Sequence, residues 1–182
     1  AWYGTTALAS IDANAKLGTA ATTNVNFTSA FRTSGLTALP AGLDLSKGNT
    51  FNTTFRDCSS LATIGNGVLL GTASSSVDFT EAFLGCTNLV TLPANLNLSK
   101  GDDFNRAFFN CSSLVTFPAG AFDTMGTPSQ YCFTSAWDNC TALSATSVFN
   151  ILSSIDTSGR SAPAVGPDIT IDYNVATGAL SA

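Results

Sequence analysis

The sequence contains no histidine, and this absence removes several kinds of chemistry at once. None of the 182 residues can supply an imidazole as general base, as zinc ligand or as a charge switch near neutral pH. Serine or cysteine nucleophiles activated by histidine are excluded for the same reason. The composition therefore argues against most hydrolases and against histidine-ligated metal sites.

Charge is scarce as well. Charged residues make up 10% of the chain with a net charge of −5, against about 25% charged residues in an average globular protein. With three Lys and four Arg, a phosphate-binding surface for nucleic acid is disfavoured. No apolar run approaches the ~20 residues of a membrane-spanning helix. The hydrophobic content of 45% is nevertheless high enough for a folded core.

Uncharged polar residues are abundant instead: the chain contains 21 Ser and 25 Thr. The chain starts at Ala1 and shows no basic-then-apolar leader. We therefore expect a processed product or a piece of a longer polypeptide.

Five segments of the sequence follow one pattern. Each has an aromatic residue, a second aromatic four residues later, and then Cys and Leu at fixed offsets. The segments cover residues 27–40, 51–64, 79–93, 104–118 and 133–143. Ser34 replaces Cys in the first segment, and Trp137 replaces the second Phe in the fifth. Recurrence at this interval is typical of proteins built from stacked repeats.

The spacing within a segment predicts its local structure. Aromatic residues at i and i+4 share one face of an α-helix, so a short helix is expected at each pair. The Leu-x-x-apolar stretch that follows predicts a short strand. Stacked units would place parallel strands on one face and short helices on the other, which is an α/β solenoid.

The two ends of the chain depart from the pattern. Residues 1–26 are expected to form an N-terminal cap or degenerate repeat, residues 27–143 five repeats, and residues 144–182 a C-terminal cap. In that cap, residues 144–155 read as a helix with one apolar stripe, 156–167 as a connector and 169–173 as a final strand. The stripe comprises Val148, Ile151, Leu152 and Ile155.

The pattern resembles the BspA-like leucine-rich-repeat family, in which an aromatic residue, Cys and Leu recur about every 25 residues, as in residues 82–89. Residues 43–46 and 55–61 are also similar to related surface repeats of mycoplasmas. The likeness covers residues 27–143, with the departures at Ser34 and Trp137. It implies a leucine-rich-repeat fold and a surface-exposed binding module, since such repeats occur on bacterial surface proteins and phage structural proteins. It implies no catalytic residue.

The cysteines share a position in the pattern. Cys58, Cys86, Cys111 and Cys140 are expected to stack inside the solenoid with parallel Cα–Cβ bonds, which opposes disulfide formation. Buried thiols that pack as small apolar groups are the favoured interpretation. Cys132 lies outside the pattern, and a disulfide from it to a neighbouring unit stays open.

Carboxylates are the next candidates for chemistry. Asp102 and Asp103 are adjacent, and Asp78 and Glu81 lie at helical spacing. Paired acids are used by glycosidases and by Ca²⁺ sites, but these pairs fall at the starts of predicted helices, where the helix dipole favours them. No calcium loop or nucleophile elbow is present. We predict no enzymatic activity, no cofactor and no metal; a hydrolase that uses Asp102 or Asp103 is the remaining enzymatic alternative.

One polar feature remains as a candidate binding site. Thr63, Thr91 and Thr116 share one position, between the two apolar residues of each predicted strand. Stacked strands would align their hydroxyls as a row. Carbohydrate or protein recognition, ice binding by a flat array, and mutual support between neighbouring threonines are the three interpretations.

A stack of this kind with so little charge suits binding better than catalysis. The favoured hypothesis is a recognition or adhesion module, located extracellularly, on a cell surface or on a virion, that binds a host glycan or envelope protein, for instance within a phage tail fibre. The alternative is a non-catalytic structural or decoration subunit of a larger assembly, whose partners are neighbouring subunits. Neither nucleic acid nor membrane insertion is expected, and an oligomer is compatible with both hypotheses.

Overall fold

Short parallel strands dominate the architecture. The computed structural model describes residues 4–22, 24–126, 129 and 131–159. Within these residues, the elements in chain order are β1 (Val25–Asn26), β2 (Ala38–Leu39), β3 (Asp44–Leu45), β4 (Gly48–Thr50), β5 (Thr63–Ile64), β6 (Leu69–Leu70), β7 (Val77–Asp78), β8 (Gly101–Asp103) and α1 (Ala145–Thr157). One sheet has the order β1-β4-β7-β8, and two smaller sheets pair β2 with β5 and β3 with β6. All these pairs are parallel, in agreement with the α/β class expected from the sequence.

The short helices predicted at the aromatic pairs are not found, so that expectation is wrong. In the first segment the N–H of Ala30 donates to the carbonyl of Phe27 at 2.9 Å. Ser29, between them, has φ 54°, which is the geometry of a type II turn. The next four residues form a second such turn, with Thr33 at φ 54°. L-residues in this left-handed region cannot continue an α-helix.

The same double turn recurs in the other four segments. Positive φ angles are found at the equivalent positions Thr53, Asp57, Glu81, Gly85, Arg106, Asn110, Ser135 and Asn139. The N–H groups that a helix would use internally bond instead to the following segment. Phe31 N–H donates to the carbonyl of Thr54 at 2.9 Å, and Phe55 N–H to that of Ala82 at 2.8 Å. Backbone pairing between segments therefore replaces pairing within a helix.

The aromatic side chains of these turns form two columns through the core. In the first column, neighbouring rings lie 5.2–5.3 Å apart between centroids and are nearly parallel: Phe27, Phe51, Phe79, Phe104 and Phe133. In the second column the spacing is 5.2–6.3 Å: Phe31, Phe55, Phe83, Phe108 and Trp137. Offset stacking contributes about 0.5–1.5 kcal/mol per pair beyond the burial of area. The columns therefore hold consecutive segments in register.

Helix α1 corresponds to the helix predicted over residues 144–155, and its N-cap is Ser144. Val148, Ile151 and Ile155 are buried as predicted, but Leu152 is 40% exposed, so the predicted stripe is narrower by one residue. Buried serines occupy the rest of the inner face. The predicted strand at 169–173 and all but the first four residues of the connector lie outside the described residues.

At the other end, residues 4–22 lie along the first segment. Leu8, Ile11 and Leu17 pack against the core, and the N–H of Thr37 donates to the carbonyl of Ala9 at 3.1 Å. In the described part of the chain, no helix combines the length and apolar character needed to cross a membrane.

Candidate functional site

The three predicted threonines are brought together in one row. Thr63 pairs with Thr91, and Thr91 with Thr116, in parallel β-bridges. Neighbouring strands in a sheet lie about 4.8 Å apart, which sets the spacing along this threonine row (Thr63, Thr91 and Thr116). All three residues are exposed because each lies between two buried apolar residues of its segment.

The hydroxyls of the threonine row are not used by the fold. Among the described residues, no hydrogen bond from these three side chains to another protein group is found. Other threonines behave differently: Thr54 donates its hydroxyl to the carbonyl of Phe27 at 2.8 Å, and the Thr53 hydroxyl pairs with that of Ser29 at 2.8 Å. Mutual hydrogen bonding along the row is thus not what the structure shows, and the three hydroxyls are left to solvent or to a partner.

The row is part of a larger uncharged surface. Each residue before a member of the row is also exposed or half-exposed, and backbone hydrogen bonds of 2.9–3.1 Å connect these preceding residues from segment to segment. We call the eight residues at these two positions the neutral face: Thr37, Ala38, Ala62, Thr63, Val90, Thr91, Val115 and Thr116. Sequence reasoning missed the two valines, which are 41% and 39% exposed. Their place beside the threonines in the repeated pattern was the available signal.

Each of the four candidate carboxylates has a hydrogen-bond or ion-pair partner in the fold. The carboxylate of Asp78 accepts the N–H of Thr80 at 2.8 Å, and that of Asp103 accepts the N–H of Asn105 at 2.8 Å. In both cases the side chain closes a turn. The prediction that Asp78 and Asp103 lie at the starts of helices is therefore wrong.

The other two acids also contact ordinary side chains. The hydroxyl of Ser76 donates to Asp102, and Glu81 forms an ion pair with Arg56. Burial, together with the nearby charges of Asp78 and Asp102, raises the pKa of Asp103 above its ordinary value. Adjacent Asp102 and Asp103 therefore bind different neighbours, Ser76 and Asn105.

The cysteines form a column inside the molecule. Each thiol of the pattern donates to the carbonyl of the second aromatic residue in the preceding segment, at 3.0–3.2 Å: Cys58 to Phe31, Cys86 to Phe55, Cys111 to Phe83 and Cys140 to Phe108. All five cysteines are buried, and no disulfide joins them in the described part of the chain. Ser34 occupies the first place in the column, and its hydroxyl lies 3.3 Å from the Cys58 sulfur. The column is therefore a packing and hydrogen-bonding device.

Cys132 takes a position next to the acids. The carbonyl of Cys132 accepts the N–H of Phe104, as the carbonyl of Asp103 accepts that of Phe79. Burial and the negative charge of Asp103 raise the pKa of Cys132 to about 12. A thiol with so high a pKa is a weak nucleophile and a weak metal ligand at neutral pH. Across the described part of the chain, no group of three or more Cys, Asp or Glu side chains is placed to hold a metal ion.

Comparison of the chain with protein families, with curated proteins and with solved structures finds no match. Any assignment of function therefore depends on the geometry of the surfaces described above.

Proposed function

We propose that residues 27–143 form a leucine-rich-repeat solenoid of the BspA-like type, flanked by capping segments at residues 1–26 and 144–182. Two features support this proposal: parallel pairing joins consecutive segments, and equivalent aromatic residues stack in columns. Double turns occupy the side of the unit where the spacing of the aromatic residues predicted a short helix.

We infer that the chain is a non-catalytic recognition or adhesion module on an extracellular structure, a cell surface or a virion such as a phage tail fibre. The observation that carries this proposal is the neutral face. Three aligned hydroxyls there are exposed and have no hydrogen-bond partner among the described residues, while the other polar side chains described above serve the fold.

The chemistry of the neutral face defines the partner that it fits. It carries no charge, so electrostatic steering of a charged ligand would gain little there. Each threonine offers a donor and an acceptor next to a methyl group, and the exposed side chains of Val90 and Val115 add apolar area. A host glycan or an uncharged patch of an envelope protein fits such a surface. Several copies on one particle would raise the overall affinity beyond that of a single contact.

The proposal is tested by placing a charge in the centre of the threonine row. The chain is tested on a glycan array and on whole cells, as the wild type and as Thr91→Lys. Thr91 is exposed, so the substitution leaves the core intact and puts a solvated ammonium where a neutral partner would lie. We expect at least tenfold weaker binding for the variant, equal to about 1.4 kcal/mol.

Ser153→Lys is the matched control, because Ser153 is exposed on α1, away from the threonine row in sequence. It should bind like the wild type. Equal binding by all three proteins would rule out the neutral face as the contact surface, and absence of binding to any glycan or cell would rule out the recognition function.

A structural role is the second candidate. Phe149 and Leu152 on α1 are 63% and 40% exposed, and apolar side chains at one end of the fold favour contact with a neighbouring subunit. Light scattering of the purified chain distinguishes the two functions. A defined oligomer that Phe149→Ser converts to monomer, together with no glycan or cell binding, would favour assembly over recognition.

A further inference from the structure

A cleft separate from the neutral face lies where the N-terminal segment meets β3. It has a volume of about 370 Å³, within the range of sites for small ligands. The polar side chains that line it belong to Asn14, Lys16, Thr19 and Asp44. Its remaining walls are small residues, Ala13, Ala15 and Gly42, which leave the space open.

Lys16 and Asp44 are brought together by the backbone. They are partners in a parallel β-bridge, so their side chains leave the ladder close to each other. No ion pair joins their charged groups in the described structure. One Asp44 oxygen accepts the N–H of Ser46 at 2.9 Å, which holds the carboxylate and leaves its second oxygen available.

The N-terminal segment that lines the cleft is held by its own hydrogen bonds. Asp12 accepts the N–H of Asn14 on its side chain at 2.7 Å and the N–H of Ala15 on its carbonyl at 2.9 Å. A further turn closes where the N–H of Ala21 donates to the carbonyl of Gly18 at 3.0 Å. A cleft with walls ordered in advance loses less entropy when a ligand binds.

The donors and acceptors of the cleft define the ligand. Lys16 donates, the free Asp44 oxygen accepts, and Asn14 and Thr19 can do both. A charged ligand would gain little, because the cleft is open and exposed ion pairs contribute only about 0–1 kcal/mol. Neighbouring hydroxyls of a sugar ring can both donate and accept, and the alanine methyls offer an apolar surface to its C–H groups.

We propose that this cleft, which we call the Lys16–Asp44 cleft, binds one unit of a neutral saccharide. The open rim admits a unit that belongs to a longer chain. The cleft shares no residue with the neutral face, so this proposal does not depend on the proposed function of that face.

A natural asparagine at an equivalent position shows which substitution of Asp44 preserves the local structure. At the equivalent position in a later segment, the side chain of Asn97 accepts the N–H of Ser99 at 2.9 Å, as Asp44 does for Ser46. Asp44→Asn therefore keeps the local turn and removes only the charge and one strong acceptor. Ala13→Phe fills the cleft from an exposed position without changing any polar group.

The experiment is a titration followed by ¹H–¹⁵N NMR. The probes are glucose, galactose, mannose, N-acetylglucosamine and their β-linked dimers, with glycine and serine as zwitterionic comparisons. We expect at least one saccharide to bind in the millimolar range and to shift the amide signals of residues 13–19 and 42–44. Asp44→Asn should weaken binding about tenfold, and Ala13→Phe should abolish it.

Two controls separate this site from general effects. Lys47→Ala removes a charge outside the cleft, and Thr91→Lys alters the neutral face; both should leave the titration unchanged. The proposal is overturned if no saccharide binds, if only the amino acids bind, or if Asp44→Asn and Ala13→Phe bind as well as the wild type.

Discussion

Gly101 lies where the chain has no room for a methyl group. A Cβ built there would come within 2.0 Å of the Cζ atom of Phe104, and at the equivalent Gly48 within 2.4 Å of that of Phe51. Both glycines follow a Ser-Lys pair in the sequence. Gly101 begins β8 and Gly48 begins β4, where the absent side chain lets the first aromatic column pack against the backbone.

Replacing Gly101 by Ala should therefore destabilise the fold. We expect the free energy of unfolding to fall by about 1–3 kcal/mol, because the ring of Phe104 must move out of its column. Urea unfolding followed by fluorescence measures the change. Gly126→Ala is the control, since a Cβ at that position has nothing within 4 Å. Equal stability of the two variants would contradict the tight packing described here.

The ionised carboxylate of Asp103 is half-buried and lies close to another acidic residue. Asp103 and Asp78 are register partners in β8 and β7, so two negative charges face each other. Burial and this neighbour raise the pKa of Asp103 in the folded state. The folded chain then binds the proton more tightly than the unfolded chain, so stability decreases as the pH rises through the folded pKa.

Asp103→Asn should accordingly stabilise the protein at pH 7. The amide oxygen can still accept the N–H of Asn105, as Asn26 does for Thr28 in the same sheet. We expect a gain of about 0.2–1 kcal/mol at pH 7, typical of relieving like charges on paired strands. The gain should vanish below the ordinary aspartate pKa of 3.8.

Denaturant unfolding of both proteins at several pH values measures this difference. Asp12→Asn serves as the comparison, because Asp12 accepts a similar bond from Asn14 at an exposed site. A loss of stability in Asp103→Asn at pH 7, or a gain that persists at low pH, would argue against the repulsion.

At the level of elements, α1 replaces a further segment of the stack. Its side chains bond the backbone of the last strand-like stretch: Ser147 accepts the N–H of Phe117 at 2.9 Å, and Ser154 accepts that of Phe122 at 2.8 Å. Asn150 donates to the carbonyl of Phe117 at 2.9 Å. An edge of unpaired N–H and C=O groups invites association with other chains, and these three polar side chains satisfy it.

Removing the serine hydroxyls should lower the stability of the fold, because these hydrogen bonds are then lost. Ser147→Ala and Ser154→Ala each leave a buried N–H without a partner, which costs about 1–3 kcal/mol. Thermal unfolding measures the loss, and light scattering shows whether self-association follows. Ser153→Ala, on the exposed side of α1, should stay within about 0.5 kcal/mol of the wild type. If all three variants were equally stable, the hydrogen bonds from Ser147 and Ser154 to the backbone would contribute nothing to the free energy of unfolding.

The double turns explain why the element prediction failed where the burial prediction succeeded. Aromatic residues four apart fit the 3.6-residue period of a helix, and they also fit two successive four-residue turns. The choice depends on where the N–H groups find acceptors. In the structure the N–H groups bond to carbonyls of the next segment. This pairing places residues such as Thr53 in the left-handed region, with φ 53°. Sequence periodicity alone does not contain this information.

Considered as a whole, the molecule protects its thiols by their position. The five cysteines are buried, and burial raises the pKa of Cys58, Cys86, Cys111 and Cys132. We expect no reaction with a thiol reagent at pH 8 in the native state, and reaction of all five after denaturation. Counting modified thiols by mass spectrometry against denaturant concentration gives the result. One thiol reacting in the native protein, or a disulfide found in the purified chain, would contradict the buried column.

The sequence by itself determined most of the interior of the repeated segments. The recurrence of Phe, Cys and Leu at fixed offsets predicted the stacked, buried cysteines of the pattern, and the recurring threonines predicted the threonine row, because residues at equivalent positions of stacked units have equivalent surroundings. The absence of histidine and the scarcity of charge limited the chemistry in the same way. These are properties of residue type and spacing, and they need no coordinates.

Only the tertiary structure decided how the backbone hydrogen bonds are shared and which distant residues meet. It turned the expected helices into double turns, since their N–H groups are paired between segments. It gave Asp102 and Asp103 different hydrogen-bond partners, and it brought Lys16 beside Asp44. Such contacts depend on which segments pack together and on where each backbone N–H finds an acceptor, so the spacing of residues along the sequence does not predict them.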